Sequence, residues 1–226
     1  MYSRHQNGFD ARTSARIADA CLRTRGPSGR ETRAKSGQTL FHQGDQADLL
    51  FEIVQGVARQ DRVLPNGRRQ VLSFGFPGDI VGFPQDGIHR NTCRMITPGT
   101  ILSHPGDTVA GKSAEPGLQQ RVLDAALTEI TVLHDHLQTL GCASAMERTA
   151  GFLVRLTDRL GDRRPAQTVV HLPMCRTDIA DYLGLSSETI SRMVSHLRAA
   201  GVISLTDAQT VVVLDPGRLS RLAEGA

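Results

Sequence analysis

The stretch Cys175 to Gly201, CRTDIADYLGLSSETISRMVSHLRAAG, constrains this chain more than any other. Its apolar residues recur at helical spacing twice, as Ile179, Ala180 and Leu183 and then as Ile190, Met193, Val194 and Leu197. Steps of three and four residues put each set on one face of a short helix. Between them stand Gly184, which suits a tight bend, and Ser186, placed to cap the second helix. Two short helices joined so briefly predict a helix-turn-helix, a unit that lays its second helix in the DNA major groove. A helical hairpin on a protein surface fits the same spacing. Arg176, Asp181 and Tyr182 are expected on the outside of the first helix, and Ser187, Glu188, Ser191 and Arg192 on the outside of the second.

Those outward residues have the chemistry to read bases. Arginine can donate two hydrogen bonds to guanine O6 and N7, glutamate can accept from cytosine N4, and serine adapts to either. Glu188, Ser191 and Arg192 are therefore the base-reading candidates, with Ser187 beside them. Glu188 and Arg192, four residues apart, can also form a surface ion pair worth a few tenths of a kcal/mol. Phosphate contacts are expected from Arg176, Thr177, Ser186 and the amides at the helix starts, with His196 and Arg198 as further surface candidates. Cys175 stands at the N-cap of the first helix, three residues before Asp178, where serine or threonine would make a capping box. Oxidation there would put a bulky or negative group near DNA phosphates, which makes Cys175 a candidate redox switch; the alternative is an inert small residue.

The 226 residues can hold two domains, each with its own core. A formal charge of +3 suits nucleic acid without requiring it. No apolar run approaches the roughly 20 residues needed to cross a bilayer, so a soluble, cytoplasmic protein with no membrane partner is expected. Cys21, Cys93, Cys142 and Cys175 are far apart and form no CxxC pair, and His134 and His136 point to different sides of a helix. Free thiols and no metal site are therefore expected.

Texture changes along the chain. Residues 1–35, rich in Arg, Ser, Gly and Thr, read as a flexible tail with a weak amphipathic patch at Ile17, Ala18, Cys21 and Leu22. Residues 36–114 read as an all-β domain, with short runs at Thr39 to Phe41, Leu49 to Val54, Val57 to Leu64, Arg69 to Phe74 and Thr100 to His104. Asn66-Gly67 predicts a type I′ hairpin turn. Residues 115–141 change to helical period, with Val122, Ala126, Ile130, Leu133, Leu137 and Leu140 as one stripe. Gly141-Cys142 is read as its end, and Ala143 to Leu160 as another helix with Ala150, Leu153, Val154 and Leu156 inward. Gly161 to Pro165 reads as a loop, Val169 to Leu172 as a strand, and Val202 to Leu205 with Val211 to Leu214 as a hairpin following the helix-turn-helix. Leu219 and Leu222 close a last helical turn, so residues 142–226 form the second domain.

Several of these segments together resemble a known family. SGQTLFHQGDQADLLFEIVQGVAR (Ser36 to Arg59), PNGRRQVLSFGFPGDIVGF (Pro65 to Phe83), AMERTAGFLVRL and LPMCRTDIADYLGLSSETISRMVSHLRAAGVI, in this order, resemble the Crp/Fnr superfamily of bacterial transcription regulators, and within it the FixK-type branch. The resemblance covers nearly everything after residue 35. It implies an α+β fold made of a cyclic-nucleotide-binding-like β-roll, a long dimerisation helix and a C-terminal winged helix-turn-helix. The stripe on residues 115–141, which by itself could simply cover the β domain, is then the seam of a homodimer.

The resemblance also carries functional expectations. The pattern E-x-x-S-R at Glu188, Ser191 and Arg192 is associated with TTGAT-type half-sites in an inverted pair, which implies double-stranded DNA as a partner and RNA polymerase as the machinery recruited by an activator. Genes of low-oxygen respiration or nitrogen fixation are the implied targets. In the loop Gly82 to Thr92, where relatives hold a cyclic nucleotide, Phe83 replaces the ribose glutamate and Asn91 the serine of an arginine-serine pair, leaving Arg90 alone to meet a phosphate. Loss of those partners is expected to remove cyclic-nucleotide affinity. The clustered cysteines of iron-sulfur relatives are absent, so no cofactor is expected. Two other readings stay open: an unidentified effector in the β-roll, such as an anion near Arg90, and a thiol enzyme using Cys175 or Cys93.

Overall fold

The computed structural model describes residues 30–84, 86–107, 116–164 and 167–225. The expected patch at Ile17 to Leu22 lies outside them. Eight strands form the N-terminal domain as two antiparallel sheets. One runs β1 (Arg30–Ala34), β8 (Gly99–Pro105), β3 (Leu49–Gln55), β6 (Ile80–Val81); the other runs β2 (Thr39–Phe41), β7 (Thr92–Met95), β4 (Ala58–Val63), β5 (Arg69–Gly75). Alternate side chains point to opposite faces of a strand, and the inward sets, including Phe41, Phe51, Ile53, Ala58, Cys93, Met95 and Ile101, fill the space between the sheets.

Two expectations fail here for identifiable reasons. The segment 30–35, read as tail, begins with β1, which pairs in register with β8 from Arg30↔Ser103 to Ala34↔Gly99. Four of its five residues are exposed and only Ala34 is buried, so the strand carries no apolar alternation for the sequence to display. The β4–β5 turn is also not type I′: Gly67 alone takes positive φ (78°), and Asn66 instead accepts from the Arg68 N–H through Oδ1 at 3.0 Å. The Gly67 N–H donates to the Leu64 carbonyl, giving a longer loop closed by one left-handed glycine.

Helix α1 (Pro116–Cys142) runs along the β domain. Gly141 and Cys142 are within it, because the helix yields only at Ala143–Ser144, where Ser144 and Glu147 form a reciprocal capping box that starts α2 (Ala145–Leu160). A third sheet follows in the order β11 (Ile203–Leu205), β12 (Thr210–Val213), β10 (Gln167–His171), β9 (Asp162–Arg164). Asp162–Arg164, expected as loop, is thus an edge strand pairing with β10. Helices α3 (Arg176–Leu183), α4 (Ser187–Ala199) and α5 (Pro216–Ala223) complete the domain. α5 starts with Pro216 at its first position behind the Asp215 cap.

One hydrophobic core crosses the two halves. Val57, Val71, Phe74 and Phe76 of the β domain join Phe152, Leu153 and Leu156 of α2 and Ile179, Tyr182, Leu183, Ile190, Val194 and Leu197 of α3 and α4. Among the described residues no helix is long and apolar enough to cross a membrane.

Candidate nucleic-acid interface

Local chemistry builds the α3–α4 pair. Gly184 ends α3 in the left-handed region (φ 62°, ψ 38°), its N–H donating to the Ala180 carbonyl. A Cβ there would also meet Leu140 Cδ2 at 3.4 Å, so the turn is kept tight against α1. Ser186 then caps α4 by accepting from the Thr189 N–H at 3.1 Å. Ile190, Val194 and Leu197 are buried, Met193 is half-buried, and Glu188, Ser191 and Arg192 lie exposed on the opposite face with Ser187 half-buried beside them.

The polar groups of this face are held in defined states. The Glu188 carboxyl is kept below its ordinary range, chiefly by its own backbone N–H and the Ser186 hydroxyl, with a smaller attraction from Arg192. It is therefore an ionised acceptor at neutral pH. The Arg192 guanidinium, which could also have paired with Glu188, donates to Thr189 Oγ1 at 3.2 Å. Thr189 was not among the residues expected to matter. Ser191 Oγ donates to the Ser187 carbonyl at 2.9 Å.

Of the phosphate candidates, Thr177 and Ser186 are exposed near the two helix starts, whereas Arg176 is half-buried and donates to the Ala208 carbonyl at 3.1 Å. Burial lowers its pKa. Arg176 thus ties α3 to the turn between β11 and β12, a turn stiffened by Asp207 Oδ1 accepting from the Gln209 and Thr210 amides at 2.7 and 2.9 Å. Cys175 is exposed, and its Sγ accepts from the Asp178 N–H at 3.5 Å, so the thiol does cap α3.

Tyr182, expected outside, is buried. Its ring lies parallel to His136 of α1 (centroids 4.1 Å apart, 5° between planes) and edge-on to Phe74, and its hydroxyl accepts from Arg155 at 2.7 Å. Burial, and then the nearby Arg155 charge, push His136 down to about 4.

The stripe on α1 divides between two surfaces. Val122 turns inward with Leu118 against Leu50 and Ile80, so it is not on the open face. Ala126 and Leu140 are half-buried. Leu127 (55 % exposed), Ile130, Leu133 and Leu137 (65 %) are open, together with Leu123. Leu123 and Leu127 were missed although they stand at the four-then-three spacing that Ile130 and Leu137 continue, a heptad signal readable in the sequence.

In the β domain, Phe83 packs against the Leu50, Ile80, Leu118 and Val122 cluster. Arg90 donates to the Asp86 carboxylate at 2.9 Å, and Asn91 donates to Gln60 Oε1 at 3.1 Å. Glu129 of α1 is half-buried; desolvation and the Asp79 carboxylate push it up to about 7. Cys93 is fully buried, and burial pushes its thiol up, away from the thiolate that nucleophilic chemistry needs.

Comparison with known proteins decides the family. Residues 31–112 match the family described as cyclic nucleotide-binding domain, and residues 147–222 the Crp-like helix-turn-helix domain. The nitrogen fixation regulation protein FixK of Bradyrhizobium diazoefficiens is 36% identical over 86% of this chain and 82% of its own length. The FixK protein of Rhizobium meliloti is 37% identical over 83% of this chain and 84% of its own. The chain belongs to the Crp/Fnr family. It is a FixK/Fnr-type transcription regulator with a DNA-binding helix-turn-helix. The solved structure of FixK2 from Bradyrhizobium japonicum superposes with a TM-score of 0.77 at 28% identity, covering 87% of this chain and 98% of that one. In this Crp/Fnr regulator β11 and β12 form the wing, and α4 is the second helix of the helix-turn-helix.

Proposed function

We propose that this regulator is a homodimer that binds an inverted pair of TTGAT-like half-sites and activates transcription by recruiting RNA polymerase. The observation that carries the reading is the open face of α4, where an ionised Glu188 and an Arg192 supported by Thr189 stand in solvent at the capped end of the helix. Ser191 and Ser187 complete the base-reading set, while Thr177, Ser186 and the amide ends of α3 and α4 serve phosphates. Arg176 supports the wing as well as adding positive charge. Ile130, Leu133 and Leu137, with Leu123 and Leu127, form the dimer seam.

The β-roll, in this reading, works without a cyclic nucleotide. Phe83 is committed to the packing of α1, Asp86 already occupies the Arg90 guanidinium, and Asn91 is engaged with Gln60, so the residues present do not fit a ribose phosphate. No iron-sulfur cluster is used either. Cys175 provides control by oxidation, since its thiol is exposed and caps α3 beside the DNA-facing surface. The similarity to nitrogen fixation regulators supports targets in low-oxygen respiration or nitrogen fixation.

Selection of bound duplexes from a random pool, with reduced and with peroxide-treated protein, tests this. A palindromic consensus with half-sites about one helical turn apart is expected, recovered only from the reduced protein. A consensus without two-fold symmetry overturns the dimeric reading. Equal recovery after oxidation, or loss in a Cys175→Ser variant as well, overturns the role of Cys175.

A further inference from the structure

The contact between the two domains contains a charged cluster built from residues of both. Asp178, in the first turn of α3, is buried, with only 6% of its side chain exposed. Arg59 of β4 donates through Nη1 to both of its carboxylate oxygens at 2.8 Å, and through Nε to Asp61 at 2.9 Å. Arg69 of β5 donates through Nη2 to Asp178 at 2.7 Å and to Asp181 at 2.8 Å. Two arginines of one domain thus grip two carboxylates of the other.

Asp178 and Asp181 are three residues apart and lie on one side of α3. The rest of the contact is mainly apolar and aromatic, with Phe74 against Phe152 and Tyr182, and includes one further pair away from α3, between Arg159 of α2 and Asp79. Apolar burial is non-directional and tolerates sliding. A charge-assisted hydrogen bond from a guanidinium nitrogen to a carboxylate oxygen is directional. Gripping two successive positions on one side of α3 therefore fixes its rotation about its own axis. α4 follows, because α3 and α4 share a core and are joined by the tight turn at Gly184. The exposed residues Glu188, Ser191 and Arg192 are left uncovered by this grip, so the docked arrangement is compatible with reading DNA.

We propose that Arg59 and Arg69 are positioning residues for the recognition helix: through Asp178 and Asp181 they lock the setting of α4 on the β-roll and thereby set the separation of the two recognition helices in a dimer. This rests on the reading of the protein as a dimeric DNA-binding regulator. A buried ion pair seldom outperforms apolar packing as a source of stability, whereas specificity of arrangement is a role it can fill.

The test uses the full-length protein, the selected inverted-repeat duplex, versions with one base pair added or removed between half-sites, and a duplex with a single half-site. Three variants are compared with the wild type: Arg69→Gln, which leaves Asp178 paired with Arg59; Arg69→Lys; and the charge-free combination Arg59→Gln, Arg69→Gln, Asp61→Asn, Asp178→Asn, in which Asp61 is neutralised together with its partner Arg59 so that no buried charge is left unpaired. The expected result for the combination is at least tenfold weaker binding to the selected duplex and a flattened dependence on spacing, with single-half-site affinity unchanged. Arg69→Gln falls between it and the wild type, and Arg69→Lys restores most of the spacing preference. A spacing dependence as sharp as the wild type's in the charge-free combination overturns the proposal, and so does a parallel loss on the single half-site. If the wild type itself selects no duplex, the DNA-reading assignment fails, a result distinct from either.

Discussion

Arg192 stands in solvent with its guanidinium against Thr189 Oγ1, so part of its rotamer freedom is surrendered before any base is met. Glu188, four residues earlier, is ionised at the positive end of the helix. If Arg192 reads a guanine, Arg192→Ala relaxes preference at one base position and costs about 1–3 kcal/mol there; binding titrations against each single-base variant of the consensus measure it. At Cys175 a better cap is available. Cys175→Ser replaces a 3.5 Å sulfur contact with a hydroxyl acceptor, and urea unfolding should show a gain on the order of 0.5 kcal/mol. Caps of this kind were legible in the sequence because they involve residues three apart. Asp178 and Tyr182 were not: the arginines that hold Asp178 are more than a hundred residues away, and nothing in the local pattern marks an aspartate or a tyrosine for burial.

α1 serves three surfaces at once, and its sequence shows them only as one broad apolar stripe. Leu118 and Val122 face the β-roll, His136 faces α3, and Leu123, Leu127, Ile130 and Leu137 face solvent. Period alone locates the helix but does not say which part of a wide stripe meets which neighbour. If the open part is the dimer seam, Leu127→Glu gives a monomer in sedimentation and lowers affinity for the two-half-site duplex by about 10²-fold or more, since the second half-site is no longer bound intramolecularly. The His136–Tyr182 stack adds a pH dependence. The folded pKa near 4 lies below the ordinary value of 6.5, so below 6.5 the unfolded chain binds a proton that the folded one does not. This contribution to stability is complete above about 6.5 and is lost as pH falls towards 4. His136→Phe keeps the stack without the proton; denaturant midpoints should show it losing less stability than the wild type between pH 7 and pH 5. β1 illustrates the opposite limit of legibility, since a charged edge strand has no pattern to read.

At the scale of the whole molecule, the order of textures along the chain was enough to place a β domain, a long helix and a winged helix-turn-helix, because each has its own hydrophobic period. How the two domains meet was not legible, because their contact is made by side chains that either domain alone would leave at its surface. The structure joins them through a single core and a charged grip, which has a thermodynamic consequence. Phe74 contributes from the β-roll to a ring cluster with Phe152 and Tyr182, and is itself buried. Removing the ring in Phe74→Ala should cost about 3–5 kcal/mol, as for other buried aromatic truncations. The loss falls on the contact between domains as well as on the β-roll. Domains that share a core unfold together, and domains whose coupling is weakened unfold independently. Calorimetry should therefore show one transition for the wild type and two for Phe74→Ala, the helix-turn-helix domain keeping the higher midpoint because its own core of Leu156, Ile179, Leu183, Ile190 and Leu197 is untouched. A single transition that merely moves to lower temperature would mean that the polar contacts, the arginine grip on Asp178 and Asp181 together with the Arg159–Asp79 pair, suffice to keep the domains coupled after the apolar contact is weakened.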